Sequence, residues 1–125
     1  MSKAMGHTTW FIPDCYWPEI TTAGHYVSHE SICVLNTGDA DAQLQITLYF
    51  EDRPPMEGFY AQCGALRTHH VRMDKLKDKV GACVPLGVPY AAMVVSNVPI
   101  IVQYSRLDTT QPNEAMMSVI AHPLV

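Results

Sequence analysis

The sequence predicts an all-β chain: a single antiparallel β-sandwich or jelly-roll-like domain spanning residues 1–125. Three observations carry this. Ala42–Glu51 alternates strictly, with Leu44, Ile46, Leu48 and Phe50 against Gln43, Gln45, Thr47, Tyr49 and Glu51, the period-two signature of a half-buried strand. Turn signals recur about every 10 residues, the spacing of short strands in a sandwich. No segment shows a sustained helical period. At 125 residues the chain suits one core, and a domain of that size buries roughly two thirds of its unfolded surface.

Taken in order, His7–Ile12 is Thr- and aromatic-rich and is expected to stop at Pro13, followed by a loop over Asp14–Val27. Ser28–Asn36 reads as a strand closed by Thr37-Gly38-Asp39, a tripeptide suited to a turn. Ala42–Glu51 ends at Asp52-Arg53-Pro54-Pro55, because proline cannot donate to a ladder. Phe59–Leu66 and Thr68–Met73 supply further strand, and Asp74 is placed to cap a short helical turn through Lys79. Tyr90–Val95 and Ile100–Leu107 read as a hairpin turning at Ser96-Asn97-Val98-Pro99. Glu114–Ala121 mixes helix-favouring Ala and Met with a Val-Ile ending, and its length favours strand. Val80–Ser105 carries no charged residue or histidine, yet Pro85, Pro89 and Pro99 argue against a membrane helix.

Composition narrows the function. Hydrophobic residues make up 48% and charged residues 16%, a low charge content that predicts a covered surface. The last two strands are apolar on both faces: Ile100 and Val102 oppose Ile101, and Met117 and Val119 oppose Met116 and Ile120. A sandwich buries only one face of each sheet, so a homo-oligomer is expected. The net charge of -4 gives no global field to attract nucleic acid or anionic lipid. Five of the eight Lys and Arg residues do fall within Arg67–Lys79, interleaved with Asp74 and Asp78. Four cysteines without a C-x-x-C pair, and no apolar run behind Lys3, predict buried free thiols, no signal peptide and a cytoplasmic location.

Few residues suggest chemistry. His29 and Glu30 are adjacent on a strand and point to opposite faces, which disfavours a catalytic dyad. They read either as hydrogen-bonding groups at a strand start or as part of a ligand pocket. In Arg67–Arg72 the Thr68, His70 and Arg72 side chains share a face, and that row suits an anion or polyol as well as it suits a solvated surface. His69 and His70 diverge and no H-x-H occurs, so no metal centre is expected. Gln103, Ser105, Arg106 and Asp108 follow an apolar run. Arg106 and Asp108 are placed to pair with each other or to bracket a hydroxyl-rich ligand. Trp10, Tyr16 and Trp17 suit either core packing or a sugar platform. G-x-S-x-G and Gly-rich phosphate loops are missing. An isomerase or lyase using His29 or His70 would need a converging acid and base, and no enzyme and no cofactor are predicted.

At these residues the sequence resembles the sensory rhodopsin transducer family. The match runs through Ser28-His29-Glu30, Cys33, Leu35-Asn36-x-Gly38-Asp39, Ile46-Thr47-x-Tyr49 and Asp52-Arg53-x-Pro55. It continues with Arg67-Thr68-x-His70-Val71-Arg72, Ser96 to Gln103, Arg106-Leu107-Asp108 and Asn113. Asp14–Val27 and Asp74–Pro89 depart from the pattern. The resemblance implies a β-sandwich subunit, a cytoplasmic homotetramer and no enzymatic activity. It also implies a role in signal relay from a membrane photoreceptor, or in binding a small polar metabolite such as a sugar. The matching polar positions are His29, Glu30, Arg67, His70, Arg72, Gln103, Arg106 and Asp108. A metabolite would bind through the Arg, His and Gln side chains, with Glu30 and Asp108 accepting hydroxyl protons.

Overall fold

A computed structural model describes residues 3–18, 26–111 and 113–125. Every regular element among them is a strand: β1 (His7–Cys15), β2 (His29–Asn36), β3 (Ala42–Phe50), β4 (Met56–Cys63), β5 (Arg67–Arg72), β6 (Tyr90–Asp108), β7 (Ala115–Ile120) and β8 (His122–Pro123). All pairings are antiparallel. One layer runs β4-β3-β6-β1-β8 and the other β5-β2-β6-β7, both sharing β6. The sandwich is therefore one continuous ladder that β6 folds into two layers.

β6 corrects the expected hairpin. Its 19 residues keep one inward face from end to end, with Tyr90, Ala92, Val94, Ser96, Ile100, Val102 and Tyr104 all buried. The β3 ladder ends at Ser96 and the β2 ladder begins at Ile101. Pro99 falls in that gap, where no neighbouring strand needs its missing N–H. The Asn97 side chain binds the Gln43 N–H at 2.7 Å instead of turning a corner. At the same crossover Gly6, with φ +106°, passes so near that a Cβ there would lie 1.9 Å from the Ile100 carbonyl oxygen.

Other boundaries moved for similar reasons. β1 continues through Pro13 to Cys15, because the register slips by one residue between Ile12 and Cys15 and that bulge accommodates the proline. Asp14 and Cys15 are thus strand residues; of the expected Asp14–Val27 loop, residues 19–25 lie outside the described ones. β4 starts at Met56, before the expected Phe59, with Gly58 at φ +90° where the β3 register slips. The expected helical turn after Asp74 is an irregular connection: Asp78, not Asp74, accepts the Val80 and Ala82 N–H groups at 3.0 and 2.8 Å.

The core lies between the layers. Leu44, Ile46 and Leu48 of β3 meet Ile32 and Val34 of β2, Phe59 of β4, and Trp10 and Ile12 of β1 in one buried cluster. Each such side chain contributes about 1.5–3 kcal/mol on full burial. Trp10 belongs to this core, its indole N–H shared between the His7 and Ile100 carbonyls. Cys15 and Cys63 are buried free thiols as expected, whereas Cys33 is half-buried and Cys83 exposed. Cys83 sits in the irregular connection, bridged to Lys77 beyond the core. No helix among the described residues is long and apolar enough to cross a membrane.

Candidate functional site

The inward and outward faces of β2, β5 and β6 divide the eight predicted residues. The register sets Glu30 opposite Arg106, Ile32 opposite Tyr104 and Cys33 opposite both Gln103 and His70. Side chains alternate along a strand, so Glu30, Arg106, Asp108 and Arg67 take the inward parity and His29, His70, Arg72 and Gln103 the outward one. One ligand cannot touch both groups through the sheet.

On the inward side Glu30 is fully buried. Its carboxylate accepts hydrogen bonds from the Tyr90 hydroxyl at 2.5 Å, from the Tyr104 hydroxyl, and from the Tyr16 N–H at 2.9 Å. Arg106 Nε donates to the Tyr104 oxygen at 3.2 Å, and its guanidinium lies over the Tyr16 and Tyr104 rings. Burial pushes the Glu30 carboxyl above its ordinary 4.5, against the downward pull of its three donors and of Arg106. Burial and the nearby Glu30 charge also raise both tyrosines. Burial pulls Arg106 down, but its bond to Tyr104 and the surrounding acids outweigh that and leave it raised. The cluster ties β2, the chain after β1 and both halves of β6 together, which is the work of a cross-layer clamp.

The expected Arg106–Asp108 pair does not form. Arg106 Nη2 lies 3.5 Å from Asp14, without hydrogen-bond geometry. Asp108 instead accepts the Thr110 N–H at 2.8 Å, and hydrogen bonding from the Thr110 side chain, then from its N–H, holds the carboxyl below the usual range. Arg67 is exposed, donating to the Leu66 carbonyl, and Arg72 is held in a fork on Asp74 at 2.9 and 2.8 Å. The His29 side chain turns away from Glu30 and hydrogen-bonds elsewhere: its Nδ1 lies 2.9 Å from the Val27 carbonyl.

The outward face brings the rest together. A pocket of about 160 Å³ is lined by His29, Ser31, Cys33, His70, Ser105, Leu107 and Met116. A second, of about 170 Å³, is lined by residues including Cys33, Leu35, Thr68, His70, Ile101 and Gln103. Cys33 and His70 border both, so the two adjoin as one shallow groove. Imidazole, amide and hydroxyl groups there can donate and accept, and the apolar ends can pack against carbon. A larger pocket of about 350 Å³, between Pro13, Tyr49, Phe50 and Tyr90, contains none of the eight residues. No group of three or more His, Cys, Asp or Glu among the described residues is arranged to hold a metal.

Sequence reasoning missed Tyr16, Tyr90 and Tyr104 as partners of Glu30, and Ser31 and Cys33 as groove residues. A signal was present: Glu30 shares inward parity with Ile32 and Val34, and an acid in an apolar row demands buried donors. Which donors answer it depends on contacts 60 and 74 residues away.

Comparison with known proteins agrees with the sequence resemblance. No curated protein matches the chain. The crystal structure of Thermotoga maritima 1070 is 38% identical, with a TM-score of 0.84 over 95% of this chain and 96% of that one. The structure of the Anabaena sensory rhodopsin transducer is also 38% identical, with a TM-score of 0.75 over 88% of this chain and 96% of its own. The family model described as Anabaena sensory rhodopsin transducer matches residues 5–123. The chain belongs to the Anabaena sensory rhodopsin transducer family.

Proposed function

We propose that the chain is a non-enzymatic cytoplasmic signalling module that binds a small polar metabolite in the outward groove of the β5-β2-β6-β7 layer. The observation that supports this is the convergence of His29, His70 and Gln103, with Ser31, Thr68 and Ser105, on two adjoining pockets. Such a groove suits a sugar or a hydroxylated organic anion. The buried Glu30 and half-buried Arg106 support the groove from beneath and do not touch the ligand. A thermal-shift panel of sugars, sugar acids and sugar phosphates tests the reading, since a ligand stabilises the state it binds. A hit is expected, and His70→Ala or Gln103→Ala is expected to weaken it about tenfold, the loss of one hydrogen bond of roughly 1.4 kcal/mol. A panel without any shift, or a hit that both variants bind as tightly, would contradict the groove.

The family match favours a second reading, an adaptor relaying a signal from a membrane photoreceptor such as a sensory rhodopsin. A complex with the receptor's cytoplasmic surface, formed without any metabolite, would support it.

The working unit in either reading is a homo-oligomer, a tetramer by family analogy. All six residues of β7 are exposed, Met116 at 71% and Ile120 at 58%, although none carries a charge. Among the described residues this strand is paired only to β6, which leaves one edge and the Met117/Val119 face open to a neighbour.

A further inference from the structure

We propose that the free edge of β5 is a docking site for an extended acidic segment of a partner protein, which adds to the sheet as a further strand. Among the described residues β5 pairs with β2 alone. The Met73 N–H binds the Glu30 carbonyl at 2.9 Å, which fixes the alternation of the ladder. Val71, His69 and Arg67 therefore bond to β2, while Thr68, His70 and Arg72 turn their backbone groups to the open side. Of these the Arg72 carbonyl is taken by the Lys75 N–H at 3.2 Å; among the described residues no strand lies beside the others.

The surroundings select the sign of the partner. Three of the eight Lys and Arg residues form ion pairs among the described residues: Arg53, Arg72 and Arg106. Four of the remaining five, Arg67, Lys75, Lys77 and Lys79, lie on β5 or the connection directly after it, and all four are exposed. A cleft of about 360 Å³ separates this edge from β4, bordered by Tyr60, Gln62, His69, Arg72 and Lys75. The Lys79 ammonium lies 5.5 Å above the Tyr60 ring on the far wall. β4 is likewise an outer strand, paired only to β3 among the described residues. An incoming strand thus finds unpaired backbone on one side and cations on both.

Charge complementarity decides between occupants. A second copy of β5 would bring two Arg67–Lys79 segments side by side, each carrying the exposed Arg67, Lys75, Lys77 and Lys79, and is disfavoured by like-charge repulsion. A long polyanion such as duplex DNA would reach beyond this cation cluster over a chain of net charge -4. A short strand with alternating acidic side chains matches both the backbone and the local charge, and strand addition of this kind is a general mode of peptide recognition. This docking uses the backbone edge of β5, whereas the metabolite groove uses side chains of its outward face.

The test is fluorescence anisotropy with a labelled peptide alternating Glu and Val, beside an equally long peptide alternating Lys and Val and a short DNA duplex. The Glu peptide is expected to bind, more weakly as salt rises, and to slow hydrogen exchange at the Thr68 and His70 amides. Lys75→Glu with Lys79→Glu, both exposed, is expected to reduce that affinity at least tenfold while leaving the melting temperature in place. No binding of the Glu peptide would overturn the proposal. So would equal binding of the Lys peptide or tighter binding of DNA, or peptide binding without protection of those two amides.

Discussion

Replacing Glu30 by Ala is expected to destabilise the fold by about 3–5 kcal/mol, the range for removing one partner from a buried charged network. The substitution leaves the Tyr90 and Tyr104 hydroxyls and the Tyr16 N–H aimed at an empty space. Each buried donor without an acceptor costs on the order of 1–3 kcal/mol. Glu30→Gln keeps one acceptor and the volume, and is expected to cost less than half as much. The two variants also separate by pH. Burial raises the folded-state pKa of Glu30 above its ordinary 4.5, so between the two values the folded state holds more protons than the unfolded one. The stability Glu30 contributes is therefore complete below 4.5 and declines as pH rises through the folded value. Asp108, held low by Thr110, acts in the opposite sense, so the wild-type profile must be compared with that of Glu30→Gln. Urea unfolding across the acid-to-neutral range should show a negative slope in wild type that the Gln variant lacks. Equal slopes, or an Ala variant as stable as wild type, would remove the clamp from the account.

The second large effect concerns β7. Met117→Ser with Val119→Lys is expected to convert the proposed homo-oligomer into single chains of 13.9 kDa in sedimentation velocity. These positions lie opposite Arg106 and Tyr104, on the face of β7 away from the metabolite groove. A charge placed there cannot be desolvated against a partner without a cost of several kcal/mol, while an exposed lysine suits a lone subunit. The far-UV spectrum should stay that of a β protein. An assembly unchanged in mass would show that subunits meet elsewhere, and a wild-type chain sedimenting as a monomer would contradict the oligomer itself.

How far the fold could be read from residues depended on whether the deciding contact was local. The alternation of Leu44, Ile46 and Leu48 is intrinsic to one strand, and the structure places all three in the core. The two-faced character of β7 was equally legible, because Met and Val side chains state their preference without a partner. β6 was not: Ser96-Asn97-Val98-Pro99 carries every mark of a turn, and only the hand-over from the β3 ladder to the β2 ladder makes a straight passage possible. The candidate site divided along the same line. Parity on a strand separates His29 from Glu30 and His70 from His69 without any structure. It could not show that Arg106 faces inward toward Tyr16 and Tyr104, since that depends on β2 and β6 meeting in a register set by the whole sandwich.

The central claim, a polar ligand in the outward groove, is tested most directly by an amide chemical-shift titration with the strongest hit from the metabolite panel. Perturbations are expected along His29–Leu35, at Thr68 and His70, and along Ile101–Leu107, with Phe59 and the rest of β4 unmoved. Shifts centred instead on Asp14, Tyr16 and Arg106 would place the ligand on the inward side and contradict the account.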